Sequence, residues 1–297
     1  MLGNMEESHG RDPSSFDWER LTCVHGSARE VPRWFERLLD EDDDVSMEAL
    51  ETLNDLLFHQ DDVSEATAAF VLASEGELRS PVGERRCEVF FDLFASFAHA
   101  ARSFDLGRAS EREAALAAVL RNEPIAGAHG SMNTLAAARA QWAALERAVA
   151  WTEPYLTLRD ESAEWACRFL AAMGSAAAAM HDRTREAFAL GRRERWGDET
   201  RGLVTAAVGA TGDEDVIGFL RACLSDEAIE VAGAAATELL ARLGASAADE
   251  ALITALANLE DDVPDYFALA SFDEIFALLG DHADTLRAKM QEIEDAS

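Results

Sequence analysis

Lysine is nearly missing from this chain. One lysine, Lys289, stands against 25 arginines. That skew follows most simply from codon bias in a GC-rich genome, so no mechanism is read into it. Prolines are also few. All six (Pro13, Pro32, Pro81, Pro124, Pro154 and Pro264) fall where helical patterns start or stop, as a residue without an N–H tends to. β-Branched residues are sparse while alanine and leucine dominate, which argues against a sheet-rich fold and for an all-α protein.

Other absences narrow the function. The four cysteines, Cys23, Cys87, Cys167 and Cys223, lie far apart and form no CxxC pair, so small buried side chains are expected rather than a disulfide framework. Cys23 and His25 find no further ligands nearby, and the dispersed histidines His99, His129, His181 and His282 have no metal-ligand spacing. The chain contains no phosphate-binding glycine loop, no HExxH and no GxSxG elbow. No cofactor, no metal and no catalytic residue is therefore expected. No apolar run is long enough to span a bilayer and no signal peptide opens the chain, so the expected compartment is the cytoplasm.

Positive charge is scarce where it would matter for nucleic acid. The formal net charge is −31. Residues 1–75 carry 5 basic and 19 acidic side chains, 76–150 carry 9 and 9, 151–210 carry 8 and 9, and 211–297 carry 4 and 20. The acidity belongs to the two ends. Nucleic acid and anionic membranes are poor partners for such a surface, and a basic protein is a good one. Simple solubility explains the acidity as well.

What is present is a helical grammar centred on Val31 to Ser74. Val31, Trp34, Phe35, Leu38 and Leu39 sit at i, i+3, i+4, i+7 and i+8, one face of a helix. Pro32 suits its first turn. After the acidic break Asp40 to Asp44, a second helix presents Val45, Ala49, Leu53, Leu56 and Leu57. Asp61 and Asp62 then open a third, with Val63, Ala66, Phe70 and Val71 on its face and Asp62–Glu65 as a variant capping box. None is long enough to stand alone.

The second-helix pattern recurs. Asp43 precedes Ala49 by six positions, as Asp160 precedes Ala166 and Asp226 precedes Ala232, with Leu56, Met173 and Leu239 at one register. An acidic start, small residues and then an apolar pair resembles the second helix of HEAT and armadillo-like repeats. The segment with His25-Gly26, Ala28, Val31-Pro32, Phe58-His59-Gln60 and Glu65-Ala66-Thr67 is similar to the start of a group of bacterial HEAT-repeat proteins. That resemblance covers the first quarter of the chain and implies a fold and a bacterial origin, not a reaction.

The expected architecture is therefore all-α: an α-solenoid of HEAT/armadillo-like helix pairs, roughly 14 helices, irregular in interval. We expect a flexible N-terminus over 1–13 and one solenoid over 14–297, with a change of direction at the glycine- and proline-bearing stretch 122–130. The helix from 84 to about 104, with Phe90, Phe91, Phe94 and Phe97 around its circumference, reads as central. Capping boxes are expected at Ser110–Glu113, Thr211–Glu214 and Ser271–Glu274.

Three groups of side chains are weighed as sites. The acidic turns with Asp42, Asp43, Asp44, Asp61, Asp62, Asp261 and Asp262 lack the order that wraps a calcium ion. They read as solvated helix starts or as contacts for a basic protein. Arg183, Arg185, Arg192, Arg193 and Arg195 form the one local basic cluster; an anion site is expected at Arg183, Arg192, Arg193 and Arg195 unless Glu186, Glu194, Asp198 and Glu199 pair with them. His59, at a helix end, reads as a partner for free carbonyls. The functional expectation is a non-catalytic solenoid that captures a basic protein, in its most concrete form an immunity or antitoxin-like protein. A scaffold with several partners and a HEAT-like enzyme acting on nucleic acid or a small ligand are the alternatives.

Overall fold

A computed structural model of the chain describes residues 13–58, 63–79, 84–121, 133–259, 263–264, 266–269 and 271–296. These residues are all-helical apart from one tiny hairpin. They fall into two compact units, Met1–Pro154 and Tyr155–Ser297. The expected change of direction over 122–130, the helix end at His59 and the acidic residues Asp61, Asp62, Asp261 and Asp262 lie outside the described residues.

The first unit begins with strands β1 (Thr22–Cys23) and β2 (Gly26–Ser27), whose two-residue connection is possible because Gly26 takes φ +128°. Helix α1 (Val31–Leu38) follows with Pro32 in its first turn, and Val31, Phe35 and Leu38 are buried as their spacing predicts. Helix α2 (Asp43–Leu57) is capped by Asp42, whose carboxylate accepts from the Asp44 and Val45 amides at 3.0 and 3.4 Å. It turns Ala49, Leu53 and Leu57 inward. Helix α3 (Glu65–Ala73) buries all nine of its residues, not one stripe. Its cap is Ser64, which accepts from the Thr67 amide at 3.3 Å, and the Thr67 hydroxyl donates to the Leu57 carbonyl at 3.0 Å. Helix α4 (Glu75–Leu78) is a single turn.

The aromatic core of this unit sits between α3 and α5 (Glu84–Arg102). Phe70 meets Phe35 at 5.5 Å, Phe90 at 6.0 Å and Phe97 at 6.2 Å between ring centroids, spacings at which edge-on rings attract. The central position expected for α5 is found, since Phe90, Phe91, Phe94 and Phe97 are fully buried. Helices α6 (Ala109–Leu120) and α7 (Asn133–Ala148) close the unit, tied by Arg112–Glu146 at 2.7 Å, Arg139–Glu111 at 3.0 Å and Arg147–Glu113 at 2.8 Å. Helix α6 starts at Ala109 behind Arg108 with no side-chain cap, so the Ser110–Glu113 box is not formed.

The second unit is a row of helices packed on their neighbours: α8 (Asp160–Met173), α10 (Asp198–Thr211) and α12 (Ile229–Leu243), with α10 in contact with both others. Helices α9 (His181–Glu194), α11 (Val216–Cys223), α13 (Glu250–Ala257), α14 (Phe272–Leu279) and α15 (Ala283–Ala296) complete it. The small-residue faces expected of α8 and α12 are present, with Ala166, Met173, Ala232 and Leu239 buried; α8 starts at Asp160 as expected, but α12 starts at Ile229, leaving Asp226 and Glu227 in the turn before it.

Helix α10 is the helix that periodicity did not reveal. Ten of its fourteen residues are buried, among them Gly202, Thr205 and Gly209. A helix enclosed on several sides has no polar face to mark its period, and its glycine, threonine and valine content is poor in helix propensity. The glycines serve contact instead. A Cβ on Gly202 would lie 2.7 Å from the Glu230 Cβ and 3.1 Å from the Glu230 carbonyl carbon and oxygen, and one on Gly209 would lie 2.6 Å from Glu238 Cγ. Thr211 is therefore not the opening of a capping box. It ends α10, donating its hydroxyl to the Ala207 carbonyl at 2.7 Å, while α11 begins behind Asp215 without a side-chain cap. The Ser271 cap of α14 forms as predicted, accepting from the Glu274 amide at 3.3 Å.

Candidate functional site

The predicted acidic turn is exposed. Asp42, Asp43 and Asp44 all face solvent at the start of α2, where carboxylates suit the positive end of the helix dipole. Down the same outer surface come Glu48, Glu51 and Asp55, also exposed. Glu48 pairs with Arg37 of α1 at 2.6 Å.

The arginine cluster divides. Arg183 pairs with Glu186 at 2.8 Å, the expected helical spacing, while Arg193 pairs with its chain neighbour Glu194 at 2.9 Å. Arg195 is the left-handed residue that terminates α9, at φ 61°. Arg185 and Arg192 instead lie over aromatic rings, 5.7 Å from the Phe219 centroid and 6.0 Å from Phe188. Four of the five side chains thus have separate partners of their own. Arg201, from α10, pairs with Asp226 at 2.7 Å; both are mostly shielded from solvent.

The geometry adds a cleft that sequence spacing did not show. A cavity of about 700 Å³ is lined by Ala178, Ala179, His181, Asp182, Thr211, Asp213, Glu214 and Asp215. It lies where the 3-10 turn Gly174–Met180 enters α9 and α10 gives way to α11. Four of its eight lining residues are carboxylates and none is lysine or arginine. Asp182, Asp213, Glu214 and Asp215 are exposed, so they keep their hydration when the cleft is empty.

His181 is the polar anchor of this cleft. Its Nδ1 lies 3.3 Å from the Thr211 Oγ1. The Thr211 hydroxyl proton goes to Ala207 O at 2.7 Å and the Thr184 hydroxyl proton to His181 O at 2.8 Å. Neither hydroxyl has a proton left for the ring, so Nδ1–H is the donor to Thr211. In the neutral ring Nε2 is then a bare acceptor. It is buried and has no hydrogen-bond partner among the described residues. Arg242 fixes the same corner from α12, donating to the carbonyls of Gly209 and Gly212.

A second cavity, about 430 Å³, lies between α13 and α15 and mixes Lys289 and His282 with Asp249, Glu250 and Glu292. The thiols offer no reactive site. All four cysteines are buried, and burial, with Asp226 beside it, pushes the Cys223 thiol up to about 11. Cys167 is raised further by burial and by Glu164. The Glu164 carboxyl is itself raised by burial, against the hydrogen bond it accepts from Thr200 at 2.9 Å. Among the described residues no three histidine, cysteine or carboxylate groups converge on a metal position, and no helix is long and apolar enough to cross a membrane.

Comparison with protein-family models, with curated proteins and with solved structures gives no match. The site is therefore read on its own chemistry.

Proposed function

We propose that this chain is a non-catalytic binding protein that captures a basic protein partner, with the cleft at Asp182 and Asp213–Asp215 as the seat of a lysine or arginine side chain. The observation that carries this reading is the lining itself: four carboxylates and no cation, with the His181 ring beside them. A guanidinium or ammonium supplies both the charge and the donors that this set leaves unmatched. The exposed carboxylates of α2 add to the net negative charge of the chain, which speeds encounter with a basic protein. The row α8, α10 and α12, in which each helix packs on the next, supports a HEAT/armadillo-like array as the scaffold. An immunity or antitoxin-like protein that masks a basic domain is the most specific form of the reading.

The test uses a fluorescein-labelled hexa-arginine peptide and the full chain in fluorescence anisotropy at low and high salt. Neutralising the cleft (Asp213→Asn, Glu214→Gln, Asp215→Asn) is expected to weaken binding at least about tenfold, the scale of several charge-assisted contacts. Neutralising Asp273, Glu274 and Asp281, an equal charge elsewhere on the second unit, is expected to change it little. Equal losses in the two triple variants would show a diffuse field and no seat.

A further inference from the structure

Two exposed helix faces carry one pattern with opposite charge. On α9, Arg185, Phe188 and Arg192 occupy i, i+3 and i+7. On α2, Asp44, Met47 and Glu51 occupy the same three positions. Arg185, Arg192, Asp44 and Glu51 are all exposed, and none of them has an ion-pair partner among the described residues, whereas their neighbours Arg183, Arg193 and Glu48 do. Met47 is 48% exposed, a large apolar side chain left uncovered on a charged helix. Phe188 is half-buried and held edge-on to Phe219, with ring centroids 4.8 Å apart.

The aromatic pair shapes what the arginines can do. Each guanidinium lies over a ring, and a guanidinium bound by its face keeps its in-plane N–H groups free for a carboxylate. Seven residues of helix span two turns, about 10.5 Å. Two carboxylates at the same spacing on another helix meet both guanidiniums at once when the axes run close to parallel or antiparallel. A thioether between them meets the ring pair, a contact that sulfur and aromatic rings favour.

We propose that α2 of one copy of this chain docks on α9 of a second copy, Asp44 and Glu51 against Arg185 and Arg192, with Met47 on the Phe188–Phe219 pair. The net charge of −31 opposes such an approach at long range. Salt at about 0.15 M screens charges more than about 8 Å apart, while ion pairs in contact survive. Association is therefore strongest at intermediate salt and falls off on either side. The cleft residues Asp182 and Asp213–Asp215 take no part in this contact, so a failure of self-association leaves the proposed seat for a basic side chain untouched.

Sedimentation velocity of the full chain across a concentration series tests it by charge exchange. Wild type is expected to shift toward larger species as concentration rises. R185E/R192E alone and D44R/E51R alone are each expected to remain monomeric, because each leaves like charges facing one another. An equimolar mixture of the two is expected to regain association to within about threefold of wild type, since the reversed α2 of one then faces the reversed α9 of the other. R183Q/R193Q, which removes two paired arginines from the same helix, is expected to associate as wild type. The proposal is overturned by a wild type that stays monomeric at every concentration, by a mixture that does not associate, or by an equal loss in R183Q/R193Q.

Discussion

Adding one methyl group at Gly202 tests whether α10 and α12 approach as closely as described. The new Cβ of Gly202→Ala meets the Glu230 Cβ at 2.7 Å and the Glu230 backbone at 3.1 Å. Backbone cannot rotate away, so one helix must shift. Overpacking of this kind costs about 1–3 kcal/mol. Alanine also returns helix propensity, about 1 kcal/mol relative to glycine. The net expectation is a loss of up to about 2 kcal/mol, or roughly 4–8 °C in melting temperature at about 2–4 °C per kcal/mol for a unit of this size. Gly218→Ala is the internal reference. It lies within α11, is exposed, and its Cβ meets nothing within 4 Å. There the propensity gain stands alone, about 0.5–1 kcal/mol of stabilisation.

The chain divides into two compact units, so a single global transition is a poor readout for one helix of one of them. Amide hydrogen exchange followed by mass spectrometry on peptides within 198–211 reports the local free energy directly. Faster exchange there in Gly202→Ala, with unchanged or slower exchange over 216–223 in Gly218→Ala, is the expected pair of results. An α10 that gains protection in Gly202→Ala, as α11 does in Gly218→Ala, would refute the close approach and, with it, the packing that positions the cleft.

Other outcomes follow from the same structure. Ser64→Ala removes the cap of α3 and is expected to cost about 1 kcal/mol, whereas Ser110→Ala, which caps nothing, is expected to leave the denaturation midpoint within about 0.5 kcal/mol. Arg201→Gln leaves Asp226 without its shielded partner and is expected to lose about 1–3 kcal/mol in urea unfolding. The native thiols are expected to resist an exposed-thiol reagent at pH 8 and to react only on denaturation, as all four are buried. The Cys223 thiol ionises near 9 when unfolded and about 11 when folded. Its contribution is thus intact below pH 9 and lost between about 9 and 11, and Cys223→Ala is expected to shallow that alkaline decline.

Much of the first unit was legible because α1 and α2 keep one wet face. The stripe Val31–Phe35–Leu38 and the acidic break before α2 put both periodicity and punctuation into the sequence. Helix α3 was found but underestimated: a stripe was expected, and all nine residues are buried. Alanine on every side carries no period, so burial depth is invisible there. The same blindness is complete for α10, where glycine and threonine look like loop and are in fact the surface on which α12 lies. Capping reasoning failed at Thr211 for a related reason. The same Thr-x-x-Glu spacing serves the end of one helix as readily as the start of the next, and only the unseen α10 distinguishes the two.

The arginine cluster shows the limit of charge counting. The carboxylate at i+3 took Arg183 as expected and the adjacent Glu194 took Arg193, but Arg185 and Arg192 found rings instead, and the ring on α11 is 31 residues from Phe188. The cleft was hidden in the same way. His181, Thr211 and the turn Asp213–Asp215 belong to separate pattern elements and converge only because α10 returns to the start of α9.

That convergence gives the cleft its rigidity. Thr211 is the last residue of α10, and it holds His181 by Nδ1 while its own proton is tied to Ala207. Arg242 of α12 grips the carbonyls of Gly209 and Gly212 on either side, groups that a helix end otherwise leaves to water. The acceptor is thus fixed by neutral and backbone contacts, and the carboxylates stand at the solvent-facing rim. In the proposed reading their charge attracts a cation without the desolvation that burying four carboxylates would cost, and the fixed imidazole supplies the direction that charge alone cannot. His181→Ala is therefore expected to weaken binding of the arginine peptide with little change in its salt dependence, while the rim triple variant reduces both. A salt slope that fell equally in the two would show that His181 contributes only to the field.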